Sequence, residues 1–89
     1  MPAKFQLGRT LITPGALARL SAASVQQAVA RHLNGDWGEV GPEDARANEH
    51  ALVEGARLLS VYRDSKGTKF WIITEADRSA TTILLPEEY

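Results

Sequence analysis

Cysteine is missing from the chain, and long apolar runs are missing as well. Without cysteine there is neither a disulfide framework nor a thiolate metal site. No stretch approaches the roughly 20 consecutive apolar residues of a membrane-spanning helix, and residues 1–5 lack the apolar run of a signal peptide. We therefore expect a protein of the bacterial cytoplasm that does not contact a membrane.

An excess of either charge is also missing: 10 Lys and Arg residues stand against 11 Asp and Glu residues, a net charge of −1. This total does not favour a nucleic-acid partner, although a local basic patch is compatible with it. His50 shares a predicted helix face with Arg46 and Glu54, which favours a solvated row of charges over a metal site. Two histidines, His32 and His50, are too few to hold zinc, and no further carboxylates stand at a fixed spacing to complete a site. Neither a phosphate-binding glycine loop nor a Gly-x-Ser-x-Gly elbow is present. We expect no metal and no cofactor.

β-Branched and aromatic residues are concentrated in the last third of the chain, in three runs that are typical of β-strands. Turn-forming residues at 64–67 and 76–79 separate the runs, so neighbouring strands are expected to pair antiparallel. Pro86 ends the last strand because it has no N–H to donate. The predicted strands of this meander are 58–62, 70–74 and 81–85.

A strand and a short helix are predicted in the first 20 residues. Apolar and polar residues alternate over 4–12, which favours a strand. Thr13 followed by Pro14 predicts a helix start, with threonine as N-cap and proline at a position whose N–H needs no partner. On that helix, Leu17 and Leu20 are expected to face the core.

Two further helices are predicted before the meander. Ser24 opens a capping-box pattern at the start of the second helix, and Gly35 offers a left-handed stop. The third helix is expected to begin at Pro42 and to end at Gly55. The order of elements predicts one α+β domain over residues 1–89, with the helices packed against a three- to four-stranded antiparallel sheet.

Three ring side chains have structural interpretations. Trp37 stands in a loop beside Asp36, and its ring either folds over the core or stays exposed and binds a partner. His32, near the end of the second helix, is expected to interact with the negative end of the helix dipole. In the middle predicted strand, Trp71 or its neighbours Phe70 and Ile72 are expected in the core.

Polar side chains are densest around the turn between the last two predicted strands, where two interpretations are open. In the first, the carboxylates of Glu75 and Asp77 beside the guanidinium of Arg78 perform acid–base chemistry and stabilise a phosphorane-like transition state. In the second, Asp77 bonds the local backbone and Arg78 pairs with Glu75 or Asp77. No residue is a firm catalytic group, so whether the protein is an enzyme stays open.

Three segments read GDWGE at 35–39, GARLLSVY at 55–62 and WIITEADRSATTILLPEEY at 71–89. Through them and the region of Asn48, the chain resembles a family of short uncharacterised bacterial proteins associated with plasmids and other mobile DNA. The resemblance implies no mechanism. The exposed acids and Trp37 favour, as the first hypothesis, a small soluble interaction or regulatory protein that binds a protein partner. The partner-binding residues expected under this interpretation are Asp36, Trp37, Glu75, Asp77 and Arg78.

The order arginine, strand, tyrosine, turn, apolar strand and second turn over residues 57–85 is similar to the sheet of RelE-like and other barnase-type ribonucleases. This second, more distant resemblance implies a metal-independent ribonuclease of toxin type. Arg78 would then bind the scissile phosphate and Glu75 would act as the base, and RNA is a partner only in this case. The chain departs from the pattern because it lacks the Lys and Arg cluster with which such enzymes hold RNA.

Overall fold

A computed structural model describes residues 3–89 and shows three helices and a four-stranded sheet, the predicted α+β class. In the described part, no helix combines the length and the apolar character that crossing a membrane requires. The elements in chain order are β1 (Arg9–Ile12), α1 (Pro14–Arg19), α2 (Ala22–Leu33), α3 (Pro42–Glu54), β2 (Leu58–Arg63), β3 (Lys69–Thr74), β4 (Ala80–Leu84) and a closing 3-10 turn (Pro86–Glu88).

The sheet is mixed, with the strand order β1-β4-β3-β2. Strands β2, β3 and β4 form the predicted antiparallel meander. β1 instead runs parallel to β4, with Arg9 opposite Ala80 and Ile12 opposite Ile83. The prediction of an antiparallel sheet is therefore wrong for β1. A strand that is joined to the sheet through three helices is not held to the antiparallel direction by a hairpin turn.

β1 is shorter than the strand predicted over 4–12. Gly8 has a φ of +65° and lies so close to the backbone of Ser79 that a β-carbon would meet it at 2.4 Å. Few residues other than glycine adopt that conformation, so Gly8 allows the chain to turn away from the sheet at this point. Before the turn, Phe5 packs edge-on against His32, with ring centroids 5.1 Å apart. The alternation over 4–12 therefore includes a core contact outside the sheet.

Thr13 caps α1 as predicted, because its hydroxyl accepts a hydrogen bond from the Ala16 N–H at 3.3 Å. Leu20 is buried, but Leu17 is 67% exposed, so the prediction that both face the core is wrong for Leu17. In this six-residue helix Ala16 is buried, and so is the C-cap residue Leu20, four positions further on the same side. Leu17 is left to project beside the sheet.

The second helix begins earlier than predicted. Ser21 is the N-cap of α2, and its hydroxyl accepts from the Ser24 N–H at 3.1 Å. Ser24 therefore lies inside the helix, because the extended residue that ends α1 leaves Ser21 in the capping position. The remaining boundaries are confirmed: α2 ends before Gly35, and α3 runs from Pro42 to the residue before Gly55, which has a φ of +73°.

Alternate side chains of the sheet point to two different faces. The helix-covered face packs against residues of α1 and α2, while on the open face the ring of Tyr89 lies 5.5 Å from that of Trp71. Phe70 and Ile72 are fully buried on the helix-covered face, which confirms the core prediction for these neighbours of the half-buried Trp71. The helix-covered face carries Leu58, Ser60, Tyr62, Phe70, Ile72, Thr74, Thr81 and Ile83; the open face carries Leu11, Leu59, Val61, Trp71, Ile73, Thr82 and Leu84.

Candidate functional site

Trp37 lies in the core rather than on the surface. Its indole is 6% exposed, stacks on Phe5 with ring centroids 6.4 Å apart, and donates its N–H to Glu49 Oε2 at 2.8 Å. The first interpretation of this residue is thus confirmed, and the alternative of an exposed ring is wrong. The loop turns the ring inward because its backbone is tied to β2: Trp37 O accepts from the Val61 N–H at 3.0 Å.

Asp36 holds this loop in place. Its carboxylate accepts from Arg31 Nε at 2.7 Å and from the Gly38 N–H at 3.2 Å. The hydrogen bond from Arg31 keeps the pKa of Asp36 below its ordinary value. The carbonyl of Asp36 also accepts from the Tyr62 hydroxyl at 2.6 Å. The carboxylate therefore already has partners in the fold, although its side chain is about half exposed, at 53%.

Arg78 binds backbone carbonyls rather than an acid. It has a φ of +61°, and its guanidinium donates to Ala56 O at 2.6 Å, Ala51 O at 2.9 Å and Glu75 O at 3.1 Å. In the described residues no ion pair joins it to the carboxylate of Glu75 or Asp77, so that predicted pairing is wrong. The planar guanidinium fork thereby joins a carbonyl group in the last turn of α3 to carbonyl groups in the loop after α3 and in the turn after β3.

Glu75 and Asp77 are exposed on either side of the same turn. Asp77 accepts from the Ser79 N–H at 3.0 Å, which confirms its predicted local backbone bond, and the hydrogen bonds from Ser79 lower the pKa of Asp77. Glu75 borders a shallow pocket of about 260 Å³ on the open face, beside Arg57 and Tyr89. The structure thus brings Trp37 and Arg78 to the same ring, Phe5, but it does not gather the five predicted residues into one site.

His32 is fully buried and belongs to a hydrogen-bonded chain of hydroxyl groups. Its Nδ1 lies 2.5 Å from Ser60 Oγ and its Nε2 lies 2.9 Å from Thr74 Oγ1, which in turn lies 2.7 Å from Thr81 Oγ1. Burial, and secondarily the charge of Arg78, lowers the pKa of His32 to about 4. The ring is therefore neutral near pH 7 and both of its nitrogens bond hydroxyl groups of the sheet, so the predicted interaction with the negative end of the helix dipole is wrong.

The hydroxyl residues were the signal for this network, since Ser60, Thr74 and Thr81 interrupt strands that are otherwise apolar. Within residues 3–89, no group of three or more acidic or histidine side chains is arranged to hold a metal ion.

The outer edge of β2 is closed by other parts of the chain. Leu59 donates its N–H to the Asn48 side-chain oxygen at 3.0 Å, and its carbonyl accepts from the same side chain at 2.7 Å. Val61 O accepts from the Glu39 N–H at 2.7 Å. Gly38 makes the close approach possible, because a β-carbon there would lie 2.0 Å from Val61 O. We call this the sealed β2 edge.

The outer edge of β1 is open. The Arg9 N–H donates to Ser79 O at 2.9 Å and the Thr13 N–H to Ile83 O at 3.0 Å, which turns alternate amides toward β4. Thr10 and Ile12 therefore direct their N–H and C=O groups away from the sheet. All four residues of β1 are exposed, and no backbone hydrogen bond from the described part of the chain reaches these outward groups.

Exposed apolar side chains flank the same edge. Leu11 is 41% exposed on the open face, while Ile12 at 36% and Leu17 at 67% lie on the helix side. Ile12 and Leu17 border a groove of about 330 Å³ that Leu20 and Val25 also line. We define the β1 edge as the outward backbone groups of Thr10 and Ile12 together with the side chains of Leu11, Ile12 and Leu17. Unpaired strand edges with apolar flanks accept an added strand.

Sequence reasoning missed the β1 edge, although it placed a strand there, because a pattern of residues does not reveal which side of a strand remains unpaired.

Comparison of the chain with protein-family models finds no match, and neither the curated proteins nor the solved structures yield one.

Proposed function

We propose that the chain is a non-enzymatic interaction protein that binds a protein partner by accepting an extended segment at the β1 edge. The observation that carries the proposal is the contrast between the two outer strands, of which one is sealed by Asn48 and residues 37–39 and the other presents unpaired backbone groups. A partner strand would receive two donors and two acceptors from Thr10 and Ile12.

The apolar side chains around the β1 edge supply the rest of the binding energy. A partner side chain on the open face would cover Leu11, and one on the helix side would enter the groove beside Ile12 and Leu17. Each backbone hydrogen bond contributes only about 1 kcal/mol net, and the contact is short. We expect an affinity in the micromolar range, which suits a regulatory contact that forms and dissociates.

Under this proposal, the residues that the sequence predicted to bind a partner have other roles. Asp36, Trp37 and Arg78 support the sealed side and the turns, through the contacts described above. Glu75 and Asp77 remain exposed acids in the turn between β3 and β4, outside the residues that define the β1 edge. The suggested origin from mobile DNA is kept as part of the proposal and rests on the resemblance of the sequence alone.

The alternative of a metal-independent ribonuclease draws no support from the position of Arg78. Its NH1 and NH2 nitrogens are engaged by carbonyl oxygens, and its Cζ lies 5.8 Å from the centre of the Phe5 ring. A guanidinium in that setting has few donors left for a phosphate group. The alternative predicts that purified protein cleaves RNA and harms its host on expression; the proposal predicts neither effect.

Removal of one outward amide tests the proposal. Thr10→Pro deletes an N–H that points away from β4, so the internal ladder is kept while strand addition is blocked. Thr10→Val is the matched control, because it changes the side chain and keeps the amide.

The three proteins are immobilised and exposed to lysate from a plasmid-bearing bacterial host, and the retained proteins are identified by mass spectrometry. We expect one protein to be retained by the wild type and Thr10→Val and to be lost by Thr10→Pro. Equal retention by all three, with unchanged circular dichroism, would contradict the proposal.

A further inference from the structure

We propose that the segment which adds to the β1 edge is β1 of a second copy of this chain, in a two-fold antiparallel pair. This inference rests on the proposed function, because it assigns an occupant to the same edge. A two-fold interface places identical surfaces against each other, so the edge has to be complementary to itself. Its backbone groups, its charges and its apolar side chains all meet that condition.

The backbone groups determine the register. In an antiparallel pair, two opposed residues whose amides and carbonyls face each other exchange both hydrogen bonds. The outward residues of β1 are Thr10 and Ile12, as the bonds from Arg9 and Thr13 to β4 require. Thr10 opposite Ile12 of the second copy, repeated by symmetry, forms four backbone hydrogen bonds. Leu11 then lies on the two-fold axis opposite its own counterpart, with Cα atoms about 4.5 Å apart.

The charges at the two ends of the edge are opposite. Arg9 stands at one end and forms no ion pair within 4.0 Å in the described residues. At the other end, the Thr13 hydroxyl donates to a Glu88 carboxylate oxygen at 2.5 Å, and the other oxygen accepts from the Gly15 N–H at 3.0 Å. The same register sets Arg9 of each copy opposite Thr13 of the other, and hence beside Glu88. Both ends of the pair thus become neutral.

The apolar side chains are also concentrated where the pairing would cover them. Leu11, Ile12 and Leu17 are three of the five exposed large apolar side chains in the described residues. In the paired arrangement Leu11 packs on its counterpart across the open face. On the helix side, Ile12 packs against Thr10 of the second copy, and Leu17 covers the outer part of the same contact.

The absence of native cysteine allows a direct positional test. Leu11→Cys places one thiol at the two-fold axis, and Val53→Cys places one at an 87% exposed position on α3 as the matched control. On mild oxidation we expect complete cross-linking of Leu11→Cys into dimers and no preferential cross-linking of Val53→Cys. Light scattering of the wild type is expected to give twice the chain mass of 9.7 kDa at high concentration.

Two further variants measure the contributions to pairing. Thr10→Pro removes one donor from each copy, and we expect the dimer dissociation constant to rise at least about 30-fold. Arg9→Glu sets like charges together at both ends, and we expect a rise of about 10-fold that shrinks at high salt. Circular dichroism verifies that each variant remains folded.

A one-chain mass at every concentration, or equal cross-linking of the two cysteine variants, would overturn the inference. If the chain is monomeric and still retains another protein in a manner that Thr10→Pro abolishes, the second-copy inference fails and the proposed function stands. If Thr10→Pro alters neither self-association nor retention, both fail.

Discussion

Each of the two outer strands of this sheet has backbone N–H and C=O groups that no neighbouring strand pairs, and the two strands differ in whether other contacts bond these groups. At β2, the amide side chain of Asn48 and the backbone of residues 37–39 bond the outward groups. At β1, Thr10 and Ile12 keep theirs directed into solvent, flanked by exposed Leu11. This contrast between a closed edge and an edge with apolar flanks is the basis of the proposal that the β1 edge accepts a partner strand.

The sealed β2 edge also differs in how much of the fold depends on it. Trp37 links the residues that cover β2 to a buried cluster that includes Leu58, and its ring lies 5.7 Å from His32. Among residues 3–89, no comparable connection reaches the outer side of β1. The difference implies that changes on the sealed side alter stability, whereas changes on the outer side of β1 alter association.

The largest effect is expected for Trp37→Ala. Loss of this buried indole and of its hydrogen bond to Glu49 should lower the free energy of unfolding by about 3–5 kcal/mol, because the ring is 6% exposed. Urea unfolding measures the change, with Val53→Ala on the exposed side of α3 as the control that should lose almost nothing. A loss below about 1 kcal/mol would show that the sealed edge does not depend on this ring.

Acid is expected to lower the free energy of unfolding through His32, whose ring lies beside that of Trp37. The pKa of His32 falls from 6.5 in its ordinary state to about 4 in the fold, so the unfolded chain binds the proton more readily. The neutral His32 ring therefore contributes about 3 kcal/mol to the free energy of unfolding. This contribution is fully present above pH 6.5 and is lost as the pH falls to about 4.

Unfolding free energies measured between pH 7 and 4 test this, together with the NMR shift of the His32 ring. A ring that titrates near 6.5 in the folded protein, with no loss of stability, would refute the assignment. His32→Gln should flatten the dependence over that range, provided the variant folds.

A smaller effect is expected for Arg78→Ala. Its guanidinium satisfies carbonyls at the end of α3 and in the turn before β4, and its removal should cost about 2 kcal/mol, more than an exposed ion pair contributes. Arg78→Lys should restore little, because a single ammonium cannot reproduce the planar fork. Arg46→Ala on the exposed side of α3 is the control. Full stability of Arg78→Lys in thermal unfolding would argue against the carbonyl contacts.

The smallest effect on stability is expected at β1. Leu11→Ser replaces a 41% exposed side chain and should change the unfolding free energy by less than about 1 kcal/mol, while it weakens association. A large loss of stability in dilute solution would mean that Leu11 already has a partner within the monomer.

Local signals in the sequence predicted most of the elements. Thr13 and Pro14 mark the start of α1, Gly55 marks the end of α3, and the turn residues give the meander. The parallel direction of β1 was not predictable, because it depends on how three helices return the chain to the sheet. The contacts of Arg78 were not predictable either, since its partners are carbonyl groups, which every residue carries alike.

The positions of the Trp37 and His32 rings were predictable only in part. For Trp37 the sequence left a ring folded over the core and an exposed, partner-binding ring as alternatives, and the structure shows the first. His32 was assigned to the helix end by its position in the sequence, whereas its partners Ser60 and Thr74 come from two distant strands. Contacts between distant segments also create the sealed β2 edge through Asn48, which explains why a single sequence indicated neither edge.

Amide hydrogen exchange at the two edges tests the central claim most directly. In dilute protein we expect the Leu59 and Val61 amides to be protected and the Thr10 and Ile12 amides to exchange at nearly unprotected rates. As concentration rises, the Thr10 and Ile12 amides should become protected, and Thr10→Pro should abolish the gain at Ile12. Protection of these two amides in the dilute monomer, or no protection at any concentration and with any bound protein, would contradict the account.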